Sequence, residues 1–355
     1  MPKESVVVKI DSRDPDMNRI HEIAVACHEN KIVAFPTETV YGIGGKMSAV
    51  GLANRLYELK GRPAHKPFAY HLGDWEMIDR LRVTVTPVFR FMARQFWPGP
   101  VTFLVNDDSG EKIGLRFPKN RIACALINTV GEPFVATSAN HSGHVSPCTA
   151  REVLGQLSGE FDILIDGGKT ELAQDSTVVD LVPEVPVIVR KGACAAEVGK
   201  AIERVKTGKF PRKRILVVCT GNSCRSPMAE GWLKREIAVH GLHDKIEVLS
   251  RGMNAREGLP ASAEAEFVMI NRQVDISKHR SGLCRKSDLW TADLILAMAP
   301  QHAADIAEML PPAREKTIVL DVADPIGLGM GVYERTILDI EKKLKQHFNR
   351  IIKLN

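Results

Sequence analysis

The chain has 355 residues, 44% of them apolar and 26% charged, and carries a formal net charge of +5. That length suits two domains, and that balance excludes disorder, collagen and a coiled coil as the dominant state. The charge is uneven: residues 1–205 hold 24 basic against 25 acidic side chains, and residues 206–355 hold 24 against 18, so neither part is basic enough by itself to demand nucleic acid.

In chain order, β-type runs are expected at Lys31–Phe35, Val101–Val105, Phe134–Ala136, Ile163–Ile165, Thr177–Asp180 and Val187–Arg190, with helices such as Ala49–Leu59 between them. The segment Lys206-Thr-Gly-Lys-Phe-Pro-Arg-Lys-Arg214 is charged and contains Gly208 and Pro211, so it reads as a linker. A basic docking tail for RNA is the sharper alternative. Beyond it strands and helices alternate: Ile215–Cys219, Pro227–His240, Ile246–Leu249, Ala261–Asn271, Leu294–Met298, Ala303–Leu310 and Thr317–Leu320. A last helix over about Val332–Ile352 carries Ile337, Ile340, Leu344, Phe348 and Ile351 on one stripe. The expectation is an α/β protein. A mixed sheet with helices fills residues 1–205, residues 206–213 link, and a doubly wound parallel sheet fills 214–355.

No run of 18 apolar residues exists, and the opening MPKESVVVKI lacks the apolar core of a signal peptide, so neither a membrane span nor export is expected. Seven scattered cysteines do not form an evident disulfide framework, and a reducing cytoplasm is the expected compartment.

The first part holds Pro36-Thr37-Glu38-Thr39-Val40-Tyr41-Gly42-Ile43-Gly44, Lys60-Gly61-Arg62-Pro63, Lys66-Pro67 and Trp97-Pro98-Gly99-Pro100. Later come Thr137-Ser138-Ala139-Asn140, Ser146-Pro147 and Asp175-Ser176-Thr177-Val178-Val179-Asp180. These read as loops at strand ends, rich in hydroxyls, amides and cations. Such a set suits a polyphosphate and a small zwitterion. In this order the motifs closely resemble the YrdC-like threonylcarbamoyl-AMP synthase family, from about Lys31 to Ala193. The resemblance implies a twisted mixed sheet with helices, and a reaction of L-threonine, bicarbonate and ATP, with Mg²⁺, that gives threonylcarbamoyl-AMP and pyrophosphate. The product would feed a transfer machinery that makes N6-threonylcarbamoyladenosine in tRNA. It implies ATP contacts from Lys60, Arg62, Lys66, Asn140, Ser146 and Arg190, and threonine contacts from Thr39, His71, Arg116, Ser138 and Ser176. Lys60 and Arg62 would neutralise phosphates during attack on the α-phosphorus. The family commonly has asparagine at Lys66. Longer members carry a separate C-terminal domain, which this chain replaces.

The second part opens on Val218-Cys219-Thr220-Gly221-Asn222-Ser223-Cys224-Arg225-Ser226-Pro227. A strand ends at Cys219, a turn follows, and Ser226 with Pro227 would cap and start a helix. Backbone N–H groups of such a turn converge on an anion, and their potential favours a thiolate at Cys219. Arg225 can fork onto two phosphate oxygens. These residues resemble the low-molecular-weight protein tyrosine phosphatase family over roughly Arg214 to Asn355, with Asp324-Pro325 as its late Asp-Pro. The resemblance implies attack by Cys219, protonation of the leaving group by Asp324, and a cysteinyl-phosphate. Ser226 would hydrogen-bond the thiolate, Asn222 would shape the loop, and Cys224 could form a reversible disulfide with Cys219. Ile326-Gly327-Leu328-Gly329 after Asp-Pro offers no ring for phosphotyrosine, and the run to Tyr333 looks like the phosphoarginine branch. The expected substrate is a phosphorylated protein residue, phosphoarginine or phosphotyrosine.

Two rival readings follow. One is a regulatory module that only grips nucleotide or duplex RNA. The other is an arsenate-reductase-like second part, whose loop can read the same but which needs later cysteines that Leu296–His302 lacks. His141 and His144 do not make a metal site by themselves, and no resident metal is expected. Cys27, Cys124, Cys148 and Cys194 read as packed or incidental, and Trp97 as a packing residue.

Overall fold

The computed structural model describes residues 5–61 and 67–354. The chain divides into two compact units, Met1–Thr207 and Gly208–Asn355.

Among the described residues the first unit has ten strands: β1 (Val6–Lys9), β2 (Val33–Pro36), β3 (Tyr41–Lys46), β4 (Ala69–His71), β5 (Val101–Asn106), β6 (Lys112–Arg116), β7 (Phe134–Ser138), β8 (Ile163–Asp166), β9 (Thr177–Asp180) and β10 (Val187–Arg190). They form one mixed sheet in the order β1-β8-β2-β3-β7-β4-β6-β5-β9-β10. Its helices are α1 (Met17–His28), α2 (Leu52–Lys60), α3 (Met77–Arg80), α4 (Pro87–Phe96), α5 (Arg121–Val130), α6 (Ala150–Leu157) and α7 (Ala195–Lys206). Local chemistry sets several starts. Asp16, Asn120 and Thr149 each accept a first-turn N–H through the side chain, and Thr86 does so just before Pro87. Trp97 is buried among Trp75, Phe89 and Phe103 and donates its indole N–H to the Val101 carbonyl at 2.7 Å.

One sequence expectation gives way here. Tyr41–Lys46 is not a loop but a buried strand, antiparallel to both β2 and β7. Its glycines hide the apolar alternation that would have announced it. At Gly44 an added Cβ would lie 2.1 Å from the Val135 carbonyl oxygen, so only glycine permits β7 to come this close. Ala69–His71 and Lys112–Arg116 are also strands, short and polar at their ends.

The second unit has four parallel strands, β11 (Lys213–Cys219), β12 (Ile246–Gly252), β13 (Leu294–Ala297) and β14 (Thr317–Val319), in the order β12-β11-β13-β14. Helices α8 (Arg225–Val239), α9 (Ala263–Ile270), α10 (Lys286–Thr291), α11 (Pro300–Met309) and α12 (Met330–Ile352) accompany them. The chain leaves β11 for one side and later returns to the other. Its carboxyl end is therefore a switch point, where doubly wound folds open a crevice. Cys219 ends that strand.

The segment read as a linker is narrower than expected. Lys206 closes α7, and Lys213 and Arg214 belong to β11. Lys213 is buried and donates to the carbonyls of Arg350 and Lys353 at 2.7 Å each. Two of the five cations of the proposed RNA tail are thus parts of a folded strand. Among the described residues no helix is long and apolar enough to cross a membrane.

Helix α12 buries Ile337, Ile340, Leu344 and Ile351 completely, and it packs on α8 and α9. Leu344→Ala is expected to destabilise the second unit by about 2–5 kcal/mol, since it removes a buried side chain and leaves a cavity. Urea unfolding followed by Trp232 or Trp290 fluorescence checks this; a change below that range would mean α12 is not part of the core.

Candidate active sites

In the first unit the motifs converge. Thr39, His71, Arg116, Ser138 and Ser176 line one cavity of about 710 Å³, and so do Lys60, Asn140, Ser146 and Arg190. They arrive from widely spaced parts of the chain. The turn into β3 brings Thr39, and the ends of β4 and β6 bring His71 and Arg116. The end of β7 brings Ser138, the start of β9 follows Ser176, and the end of β10 brings Arg190. Arg62 and Lys66 lie outside the described residues.

Arg116 is the central cation. It is 3% exposed, as is Glu38, and its Nη2 donates to Glu38 Oε1 and to Thr39 Oγ1. Glu38 Oε2 accepts the Lys119 N–H at 2.9 Å. The Arg116 Nε–H has no partner among the described residues. Half of the guanidinium is therefore fixed, and a buried donor remains for a ligand carboxylate.

The hydroxyls are pinned in the same way. Ser176 Oγ lies 3.0 Å from Thr102 Oγ1 and accepts from Arg190 Nη2 at 2.9 Å. Ser146 donates to Asp175 at 2.9 Å. Arg190 also donates to the Ser176 carbonyl, so it ties a residue expected at ATP to one expected at threonine. Lys60 does more than face the cavity. Its ammonium donates to the Ser138 and Asn140 carbonyls at 2.6 Å each and so holds the Ser138–Asn140 turn in shape. Glu38, Thr102 and Asp175 escaped the sequence reading as contributors. Only Arg116's need for a buried counter-ion could have pointed to Glu38.

His71 is partly buried on the cavity wall, and loss of solvent around the ring, then the Arg116 charge, push its imidazole down to about 3. It is neutral at pH 7 and can present a hydrogen-bonding nitrogen without repelling a bound ammonium.

In the second unit Cys219 is 3% exposed at the end of β11. Its Sγ lies 3.0 Å from Ser226 Oγ and accepts the Asn222 N–H at 3.2 Å. Asn222 has a left-handed backbone, φ 55°, which asparagine tolerates. Its amide donates to Ser226 and Ser250 at 2.9 and 2.8 Å and accepts the Gly282 N–H at 2.9 Å. Gly221, Ser223 and Cys224 complete the turn, and the Cys224 thiol lies 3.3 Å from the Tyr333 hydroxyl. At Gly252 an added Cβ would lie 2.5 Å from the Thr220 carbonyl oxygen, so β12 must be bare there for the loop to close. Gly252, Ser250 and His279, which meets the Asn222 carbonyl at 2.8 Å, were not legible as site residues.

Ser226 is not the helix cap. Helix α8 begins at Arg225, Cys224 is its cap, and Pro227 is its third residue. Pro227 still has no N–H to strand, while the Ser226 hydroxyl is free for the sulfur. A cavity of about 420 Å³ beside the loop contains Thr220, Arg225, Met253, His302, Asp305 and Asp324 among its walls. Arg225 bonds Asp324 and the Val322 carbonyl. Thr220 Oγ1 lies 2.9 Å from His302 Nε2. Burial and then the Arg225 charge lower the His302 imidazole below its ordinary value.

His141 approaches the Leu59 carbonyl and Glu160, and among the described residues no group of three His, Cys, Asp or Glu could hold a metal. All seven cysteines are unpaired. Burial, then Asp288, pushes the Cys284 thiol up to about 12, which opposes thiolate chemistry there.

Two measurements follow from this geometry. The His71 imidazole is expected to keep its neutral NMR signature down to about pH 4. A folded pKa below the unfolded value means the unfolded chain binds the extra proton, so this group's stability contribution is lost as pH falls from about 6.5 toward 3. The slope should shrink in His71→Asn. Asn222→Ala is expected to cost about 1–3 kcal/mol in chemical unfolding, because it leaves the Gly282 N–H and the Ser250 hydroxyl short of partners.

Residues 25–192 match the Sua5/YciO/YrdC family, described as Telomere recombination, and residues 214–354 match the Low molecular weight phosphotyrosine protein phosphatase family. The Threonylcarbamoyl-AMP synthase of Pyrococcus abyssi is 32% identical over 258 residues, which are 68% of this chain and 74% of that protein. That of Bacillus subtilis is 33% identical over 207 residues, 56% of this chain and 59% of its own length. The crystal structure of P. abyssi Sua5 complexed with L-threonine is 24% identical with a TM-score of 0.54, over 89% of this chain and 99% of that one; it shares the fold. The chain belongs to the threonylcarbamoyl-AMP synthase family and carries, as its second unit, a low molecular weight phosphotyrosine protein phosphatase domain.

Proposed function

We propose that the first unit makes threonylcarbamoyl-AMP from L-threonine, bicarbonate and ATP. The observation that carries this is the single cavity that gathers nine of the candidate residues around the half-committed Arg116. The threonine carboxylate takes the free Nε–H of Arg116, and Thr39, Ser138 and Ser176 offer hydroxyls to its polar groups. His71, neutral, faces the amine. Asn140, Ser146 and Arg190 address ATP, and Arg62 and Lys66 join them on sequence grounds. The amine and bicarbonate lose water to give a carbamate. A carbamate oxygen then forms a bond to the α-phosphorus, and the bond to pyrophosphate breaks. Mg²⁺ comes as the ATP complex and neutralises phosphate charge. Among the described residues on the cavity wall Asp175 is the one carboxylate, which suits a phosphate-borne ion better than a protein cage. The product passes to a tRNA-modifying transferase in a reducing cytoplasm.

We propose further that the second unit removes phosphate from a protein residue through Cys219. The sulfur bonds phosphorus, the bond to the leaving atom breaks, and Asp324 gives that atom a proton. Water then attacks the cysteinyl-phosphate with Asp324 as base. Arg225 holds phosphoryl oxygens. The described cavity wall has carboxylates at Asp305 and Asp324 and no Phe, Tyr or Trp ring. That wall favours a cationic phosphoarginine over phosphotyrosine.

Pyrophosphate release by the full chain is expected to require threonine. Arg116→Lys, which loses the fork, should raise KM for threonine by about 10-fold or more. Release without threonine would overturn the synthase reading. Cys219→Ser should abolish phosphoarginine turnover and leave pyrophosphate release intact. Asp305→Asn should lower kcat/KM for phosphoarginine more than for phosphotyrosine, and equal losses would remove the substrate assignment.

A further inference from the structure

A second cleft opens in the first unit on the other side of Glu38, with a volume of about 660 Å³. It lies beyond the carboxyl ends of three mutually parallel strands, β1, β8 and β2. Its walls carry four cations from three separate segments: Arg13, Lys119, Arg121 and Lys169. Among the described residues Arg13, Lys119 and Lys169 have no acidic partner. Arg121 donates to the Arg13 carbonyl, which fixes one segment to the next. Of the two acids on the walls, Glu38 is already neutralised by Arg116 and only Glu171 is left to balance four positive charges.

Two further observations point to an anion, and a third shows how the floor is packed. Helix α5, ten residues long, starts here with Asn120 as its cap, so the positive end of its dipole faces the cleft. Thr170 on the wall is 6% exposed, and its hydroxyl is buried without a partner among the described residues. The floor is built tightly. At Gly167 an added Cβ would meet Pro36, Ile122 and Ser12 at 2.7–3.0 Å, and Ser12 donates to the Gly167 carbonyl at 2.5 Å. Cations left unpaired around a shaped cleft repel one another unless an anion joins them.

We propose that this cleft is a second binding site of the synthase unit, for a phosphate-class anion held by Arg13, Lys119, Arg121 and Lys169. Its lining residues differ from those of the Arg116 cavity, and Glu38 connects the two: one oxygen meets Arg116 and the other accepts the Lys119 N–H. The phosphate comes either from a free polyphosphate or from a nucleic-acid backbone.

The test is a titration of the full chain, amide-labelled and deuterated, with inorganic pyrophosphate, read residue by residue by NMR. The amides of Asn120, Arg121, Gly168 and Lys169 are expected to shift saturably. An Arg121→Glu/Lys169→Glu double variant should lose those shifts or weaken them about 10-fold, and should keep the shifts at Ser138 and Gly221. Both residues are exposed, so the spectrum elsewhere reports retained folding. If Ser138 and Gly221 respond in the native chain while the four cleft amides stay still, the proposal is overturned. A short RNA duplex forms the second arm. Movement of the same four amides by RNA, reversed by pyrophosphate, assigns the phosphate to a nucleic-acid backbone. No movement by RNA, with the pyrophosphate response intact, assigns it to a free anion.

Discussion

A buried arginine sets the terms for the synthase unit. Arg116 is almost wholly withdrawn from water, and a charge in that position must be paired or it forces its surroundings to rearrange. Glu38 does the pairing, and Glu38 is in turn held by the Lys119 N–H. The turn from β2 into β3, the end of β6 and the approach to α5 are locked together by this one contact. Loss of solvent, and then the same charge, keep His71 neutral. The donor left over at Arg116 is thus a by-product of how the interior solves an electrostatic problem.

The phosphatase unit meets a second need beside its own buried cation, Arg225. Its loop has to gather donors around the Cys219 sulfur. Asn222 makes this workable by taking a left-handed backbone and spending its amide on Ser226, Ser250 and Gly282. Neutral hydrogen bonds hold the loop, and beside it the buried Arg225 is paired with the half-exposed Asp324.

Much of this was legible in the residues alone. Strands with strong apolar runs, such as Thr177–Asp180 and Val187–Arg190, announce themselves by β-branched side chains, and the last helix by its stripe of Ile and Leu. The motif residues were legible because hydroxyls, amides and cations at strand ends have few structural uses. What stayed hidden has physical causes. Tyr41–Lys46 carries glycine where a strand signal would sit, because β7 passes too close for a side chain. The cap of α8 was misplaced because Ser226 suits two jobs, and the sulfur takes it first. Glu38, Ser250 and His279 act through tertiary contacts between residues tens of positions apart, and no local pattern encodes those.

Lys213 ties the start of the central strand to the last helix. It is the first residue of β11, and its ammonium is latched to carbonyls of Arg350 and Lys353, at the far end of α12. The residues that seal the core around Trp232 lie on that same final helix. The strand that ends at Cys219 is thus fastened at its other end to the helix that closes the same core. A change at the foot of that helix can reach the loop after Cys219 through the strand alone, with no residue of the loop altered.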